Sequence, residues 1–248
     1  MPNLKEENCW LNIDKPIGFS SAKVVAIVKR MTGAKKVGHG GTLDPFASGI
    51  LPIALNKATK TAEMLMQAPK KYFFRIQFGE FRDTDDIEGQ VTETSAARPS
   101  AASIIALMPQ FIGKITQTPS QFSAIKINGQ RAYALARQGI AVEMPKREVE
   151  IFSLKLISNN NDFAEFELCC SKGTYVRSLA REICKKLSVC GFVSKLTRLE
   201  VGNFKYSKRI SLDALKTVIT LTSSHLDGSM LFFAGMPPKL DGWTHKTK

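Results

Sequence analysis

The spacing that marks a zinc site is missing from this chain. Its five cysteines, Cys9, Cys169, Cys170, Cys184 and Cys190, form no CxxC pair and have no ligand-spaced histidine. Neither a metal site nor a disulfide framework is therefore expected. Histidine is also scarce: His39, His225 and His245 are too scattered for a metal cluster. No apolar run approaches the roughly 20 residues needed to span a bilayer. The N-terminal MPNLKEENCW lacks the apolar stretch of a signal peptide. These absences predict a soluble cytoplasmic protein with reduced thiols. Acidic residues are in the minority, with 22 Asp and Glu against 35 Lys and Arg, a formal net charge of +13. That excess points to a polyanionic partner, nucleic acid first, with general solubility as the plainer alternative.

What is present is a substantial apolar fraction, 44% of 248 residues, enough for one large or two unequal domains. Strand signal at Leu11 to Ile13 leads into the turn Asp14 to Gly18. A helix follows, capped by Ser20 or Ser21, with Val24, Val25, Val28 and Met31 on one side and Gly33 as its stop. A basic, glycine-rich loop covers Lys35 to Gly41. The run Ile50 to Leu55 reads as a buried strand and Lys57 to Met66 as a helix. Tyr72 to Phe78 is strand-like, and RDTDDIEG is an acidic turn before a short strand at Gln90 to Glu93. A helix at Ser103 to Met108 is ended by Pro109. Gln117 to Arg147 mixes short strand, an Asn128-Gly129 turn and a basic helix around Arg131 to Arg137. Val149 to Leu156 and Phe163 to Cys170 alternate like paired strands. Thr174 to Leu187 is helical, Leu196 to Val201 a strand, and Leu212 to Ile219 a short helix. Strands adjacent in sequence with helices between them predict an α+β fold with a mixed, mainly antiparallel central sheet flanked by helices.

The segment most informative about chemistry is VGHGGTLDPFASGILP, residues 37–52. Three glycines within four positions permit positive φ and close approach by a bulky ligand. Asp44 precedes a proline, which restricts its backbone, and stands ahead of an apolar strand that anchors the loop. A carboxylate on a rigid loop over a core is a credible nucleophile. The dipeptide by itself reads equally as an Asp-Pro turn.

Taken whole, the segment resembles the signature of the TruB family of tRNA pseudouridine synthases, matched at Gly38, His39, Gly41, Leu43, Asp44, Pro45, Ala47, Gly49, Leu51 and Pro52. Further family-like segments follow in order: LNIDKPIGFSS at 11–21, KYFFRIQFG at 71–79, DTDDIEGQV at 83–91, PSQFSAIKINGQRAYALARQGI at 119–140, CSKGTYVRSLARE at 170–182 and LTRLEVGNF at 196–204. The resemblance runs from about residue 11 to 220. It implies the pseudouridine synthase fold in residues 1–220, with a thumb-like insertion at 119–147. Residues 221–248 are expected to be a tail without the complete PUA domain that follows in most family members.

The implied activity is isomerisation of uridine to pseudouridine at position 55, in the T-loop of tRNA. The base is flipped out, and no cofactor or metal is needed because atoms and oxidation states are conserved. Asp44 matches the catalytic aspartate, whether it attacks C1′ or C6 or assists glycal formation. Arg177 resembles the arginine that pairs with that aspartate and keeps it ionised. Tyr72 matches the tyrosine that stacks on the base. Tyr175 and Leu196 correspond to positions lining the uracil pocket, and His39 to a histidine that enters the RNA loop. Asp86 aligns with an acidic residue supporting base positioning, whereas Asp83 and Asp85 read as solvated turn residues. Lys15 either contributes to the pocket floor or caps a turn. Lys35, Lys36, Lys126, Arg131, Arg137, Lys146 and Arg147 are the expected phosphate contacts to the tRNA T-arm. The expected protein is a monomer with no obligatory protein partner and no membrane association. The alternatives are the related guide-RNA-dependent enzyme and an RNA-binding module without catalysis.

Overall fold

The computed structural model describes residues 4–222, apart from 124, 125, 128, 133, 134, 136–139, 141 and 142, together with residues 233 and 234. In chain order the elements begin β1 (Cys9–Lys15), α1 (Ser21–Thr32), β2 (Val37–His39) and β3 (Ser48–Leu55). A 3-10 turn, Asn56–Thr61, precedes α2 (Ala62–Gln67) and β4 (Lys70–Phe78). Next come β5 (Glu80–Arg82), β6 (Val91–Thr94), α3 (Ala101–Leu107), β7 (Gly113–Gln117), β8 (Lys126–Ile127) and β9 (Gln130–Arg131). The chain continues through β10 (Arg147–Asn159), β11 (Phe163–Cys170), α4 (Val176–Lys186) and β12 (Gly191–Val201). It ends, as described, with β13 (Phe204–Lys205), α5 (Leu212–Thr222) and β14 (Phe233–Ala234). The architecture is α+β with a mixed sheet, as the residue pattern predicts.

The chain divides into two compact units, residues 1–70 with 197–248, and residues 71–196. In the first, β3 pairs antiparallel with β1 from Trp10↔Ala54 to Lys15↔Gly49, and with β2 through His39↔Ile53. It pairs parallel with the end of β12 at Thr197↔Ser48 and Arg198↔Gly49. Both faces of β3 are covered, which is why its sequence is a continuous apolar run. Leu51, Ile53 and Leu55 pack with Leu11, Ile13 and the α1 residues Val24 and Val28, while Ile50 and Ala54 pack with Trp10, Leu65, Val201 and Phe204. Each such fully buried aliphatic side chain contributes about 1.5–3 kcal/mol.

Helix α1 forms where the pattern places it. Ser20 is its N-cap, accepting from the Lys23 N–H at 3.1 Å, and Gly33 closes it in the left-handed region at φ 66. The helix expected over Lys57 to Met66 is instead a 3-10 turn followed by α2. The Thr59 and Thr61 hydroxyls bond back to the Asn56 and Ala58 carbonyls, and Asn56 itself has φ 50. The Lys35 to Gly41 loop contains the short strand β2.

In the second unit the strand order is β12-β4-β11-β10-β7, with β10 antiparallel to both β11 and β7. Alternate residues of β4, Tyr72, Phe74, Ile76 and Phe78, are buried, and Phe74 stacks on Phe166 with ring centroids 5.0 Å apart. Helix α4 buries Val176, Leu179, Ala180 and Ile183, the stripe read from the sequence. It starts at Val176 because Tyr175 is extended and the Thr174 hydroxyl bonds the Ser171 carbonyl. Pro109 sits in the first turn of a 3-10 extension, Met108–Phe111, where its missing N–H costs nothing. Most of the expected basic helix at Arg131 to Arg137, Asn128 of the expected turn, and most of Met230 to Leu240 lie outside the described residues. Cys9, Cys184 and Cys190 are buried free thiols. Among the described residues no helix is long and apolar enough to cross a membrane.

Candidate functional site

His39 and Asp44 belong to the first unit; Tyr72, Asp86, Tyr175, Arg177 and Leu196 belong to the second. Each group is built differently.

The loop carrying Asp44 is held by its backbone. Leu43, Phe46 and Ala47 are buried on either side of the partly exposed aspartate. Ser21, itself buried, accepts from the Leu43 N–H at 2.9 Å and donates to the Leu43 carbonyl at 3.1 Å. The Pro45 carbonyl accepts from the Gly18 N–H at 2.8 Å and from Lys15 Nζ at 3.1 Å. Lys15 is completely buried and also donates to the Pro16 and Phe19 carbonyls, so it ties the Asp14 to Gly18 turn to the Asp44 loop. The Ala47 N–H closes a turn onto the Asp44 carbonyl at 3.1 Å. Together these bonds fix the Cα of Asp44 while using only main-chain groups of its neighbours.

His39 ends β2 in a half-buried position and accepts from the Gly41 N–H through Nδ1 at 3.2 Å. Burial and the nearby Arg198 guanidinium lower its pKa, which favours the neutral ring that this acceptor role requires. Gly41 itself has φ +129, a conformation side chains rarely adopt.

In the second unit the structure brings Asp86 and Arg177 together. Arg177 Nη1 lies 3.0 Å from Asp86 Oδ2, with both side chains almost fully buried. The same guanidinium donates to the Thr84 carbonyl at 3.0 Å and the Phe122 carbonyl at 3.2 Å. Asp86 Oδ1 accepts from the Thr84 hydroxyl at 2.6 Å and the Glu88 N–H at 3.0 Å. The carboxylate is thus surrounded by donors, as a buried charge must be.

Asp85, expected to be a solvated turn residue, is buried and paired with Arg181. It adopts φ 62, and burial pushes its pKa up to about 6 against the opposing pull of Arg181. The turn is inward-facing because the Val193 N–H donates to the Asp85 carbonyl and Asp86 bridges Val193. Asp83 is exposed, as expected.

Tyr175 is fixed by a residue the sequence did not single out. Its N–H donates to Gln117 Oε1 at 3.0 Å, and Gln117 Nε2 donates back to its carbonyl at 3.4 Å. Arg147 stands over the Tyr175 ring, 5.5 Å from its centroid. Tyr72 on β4 and Leu196 on β12 occupy neighbouring strands, both buried. Among the expected phosphate contacts, Lys35, Lys36 and Lys146 are exposed and Arg147 half-buried. Arg137 and the side chains of Lys126 and Arg131 lie outside the described residues.

Comparison with known proteins places this arrangement. Residues 29–176 match the family described as TruB family pseudouridylate synthase (N terminal domain). The chain is 51% identical over 210 residues to tRNA pseudouridine synthase B of Bartonella henselae, covering 84% of this chain and 66% of that protein. It is 50% identical over 216 residues to tRNA pseudouridine synthase B of Bradyrhizobium diazoefficiens, covering 87% of this chain and 63% of that protein. The chain therefore spans about two thirds of the length of these relatives. Among solved structures, it resembles an H/ACA RNP bound to a substrate RNA containing 2′-deoxyuridine, with 26% identity and a TM-score of 0.70. That match covers 92% of this chain and 58% of the other. The protein is a member of the TruB pseudouridylate synthase family.

Proposed function

We propose that the chain isomerises uridine in tRNA to pseudouridine, at position 55 in the T-loop, with Asp44 as the catalytic carboxylate. The observation that carries this reading is the loop itself: a partly exposed aspartate whose neighbours are pinned at Leu43, Pro45 and Ala47. Such preorganisation suits a nucleophile that must meet one sugar or base carbon in one orientation. Family membership and the names of the relatives support the reaction class.

The isomerisation breaks the C1′–N1 bond and forms a C1′–C5 bond; N1 gains a proton and C5 loses one. No electrons are exchanged with a cofactor. An ionised Asp44 serves any of three routes: attack at C1′, attack at C6, or assistance to a glycal. In this reading Tyr72 stacks on the flipped base, Tyr175 and Leu196 line its pocket, and His39 enters the RNA loop. Arg177 stabilises the reacting carboxylate, and Asp86 serves by holding Arg177. Lys35, Lys36, Lys146 and Arg147 contact phosphates of the T-arm. The enzyme works in the cytoplasm as a monomer, without a protein partner or guide RNA, and with residues 1–220 as its catalytic domain.

The test is to incubate the purified chain with an unmodified tRNA transcript, without guide RNA, and map pseudouridine by mass. The expected product is a single pseudouridine at position 55. The Asp44→Asn variant is expected to form none while still binding the transcript, and near-normal product from it would remove Asp44 from the mechanism.

A further inference from the structure

Arg198 is a charged residue only 1% exposed, among the largest fully buried side chains in the protein. Burying a guanidinium is costly unless its donors are met. Here Nε donates to the Ile50 carbonyl at 2.8 Å, Nη2 to the Gly41 carbonyl at 3.0 Å and Nη1 to the Thr42 carbonyl at 3.3 Å. Those acceptors flank the segment that carries Asp44. Arginine suits the task because its planar fork presents several donors in fixed directions, which a lysine ammonium does not.

The backbone of the same residue closes the other side of the loop. Arg198 pairs with Gly49 in the parallel register between β12 and β3. Gly49 has φ +99, and a methyl group there would lie 2.3 Å from the Arg198 carbonyl oxygen. One residue earlier, the Thr197 and Ser48 hydroxyls are 3.0 Å apart. Residues 197 and 198 therefore grip the loop at 41–42 in front of Asp44 and at 48–50 behind it.

We propose that Arg198 is a positioning residue for the isomerisation: it holds the backbone around Asp44 in the reactive geometry and acts through that carboxylate, without touching the uridine. The proposal rests on the isomerase reading given above. A second consequence of its placement is electrostatic. The Arg198 charge is one cause of the lowered pKa of His39, so it helps keep that ring in the form that accepts from Gly41.

The experiment uses the full chain with Arg198→Lys and Arg198→Met. Activity is measured as kcat and KM on a tRNA transcript. Hydrogen exchange is followed at the Leu43 and Ala47 amides, and the His39 ring is titrated by NMR. The expected result for Arg198→Lys is a folded protein with KM nearly unchanged and kcat lowered about a hundredfold, the scale of a misplacement near 1 Å. Both amides should exchange faster. The His39 pKa should stay low in the lysine variant and rise towards its ordinary value in the methionine variant. A kcat near that of the parent, with unchanged exchange, overturns the proposal. Loss of the folded state in both variants overturns it too, because Arg198 would then serve the whole fold. If the parent forms no pseudouridine, the functional reading falls, while exchange and titration still decide whether Arg198 holds the loop.

Discussion

Asp44 and Asp86 are both acidic residues in family-like motifs, yet Asp86 is almost fully buried and Asp44 is partly exposed. Asp86 is immobilised through its own carboxylate, which accepts from Arg177, Thr84 and Glu88. The loop that carries Asp44 is anchored through main-chain groups, at Gly41, Thr42, Leu43, Pro45 and the Asp44 carbonyl. A carboxylate buried among donors is committed to the fold, whereas main-chain anchors fix a loop whatever its side chain meets. The first arrangement ties carboxylate chemistry to stability; the second positions the loop through bonds that do not depend on the Asp44 side chain.

Substitution can break that contrast. Asp44→Asn should abolish pseudouridine formation while costing about 1 kcal/mol of stability or less, the centre of the usual range for a point substitution; denaturant melts beside the activity assay check this. Asp86→Ala should cost more stability, about 3 kcal/mol, by removing a buried carboxylate that pairs with Arg177. Its activity should fall as well, because Arg177 loses its orientation. A melt unchanged from the parent would show that the Asp86–Arg177 pair adds nothing to stability. Ser21→Ala should cost about 2 kcal/mol, because the Leu43 N–H and carbonyl both lose their partner in a buried setting. Here kcat should fall with KM little changed.

The last expected effect is a pair of opposite pH trends. His39 has a folded pKa below its unfolded value, so its contribution is complete above pH 6.5 and is lost as pH falls through the folded pKa. Asp85 has a folded pKa raised to about 6, so its contribution is complete below pH 3.8 and is lost as pH rises through about 6. Relative to His39→Gln, the parent should lose stability on acidification. Relative to Asp85→Asn, it should lose stability as pH rises from 4 to 7. Parallel trends in the two comparisons would contradict the assigned environments.

Local pattern made much of the fold legible. Alternation in β4, β10 and β11, the serine cap and glycine stop of α1, and the apolar stripe of α4 each express one element's own periodicity. Tertiary pairing hid the rest. β2 is a strand only because β3 lies beside Val37 to His39. The Ser20-Ser21 pair looked like one cap with a choice of residue; Ser20 is the cap, and Ser21 is committed to Leu43, 22 positions away. Asp85 departs from the solvated turn that an acidic run normally marks, because its burial depends on Val193 and Arg181. Gln117 and Arg198 are polar residues near strand ends with no local signal of their contacts to Tyr175 and to Gly41 and Thr42. Asp44 was conspicuous because its neighbours are glycine and proline, whose backbone demands are written in the sequence.

The close approach at Gly49 makes the Asp44 loop a span of fixed length. Its two ends are set by register, His39 opposite Ile53 and Gly49 opposite Arg198. An inserted or deleted residue between them would have to be absorbed within the loop, at the expense of its bonds to Ser21, Lys15 or Arg198. Side-chain exchange at an exposed position such as Thr42 leaves that length unchanged. That same position is where a spectroscopic label can report on the loop without altering its length.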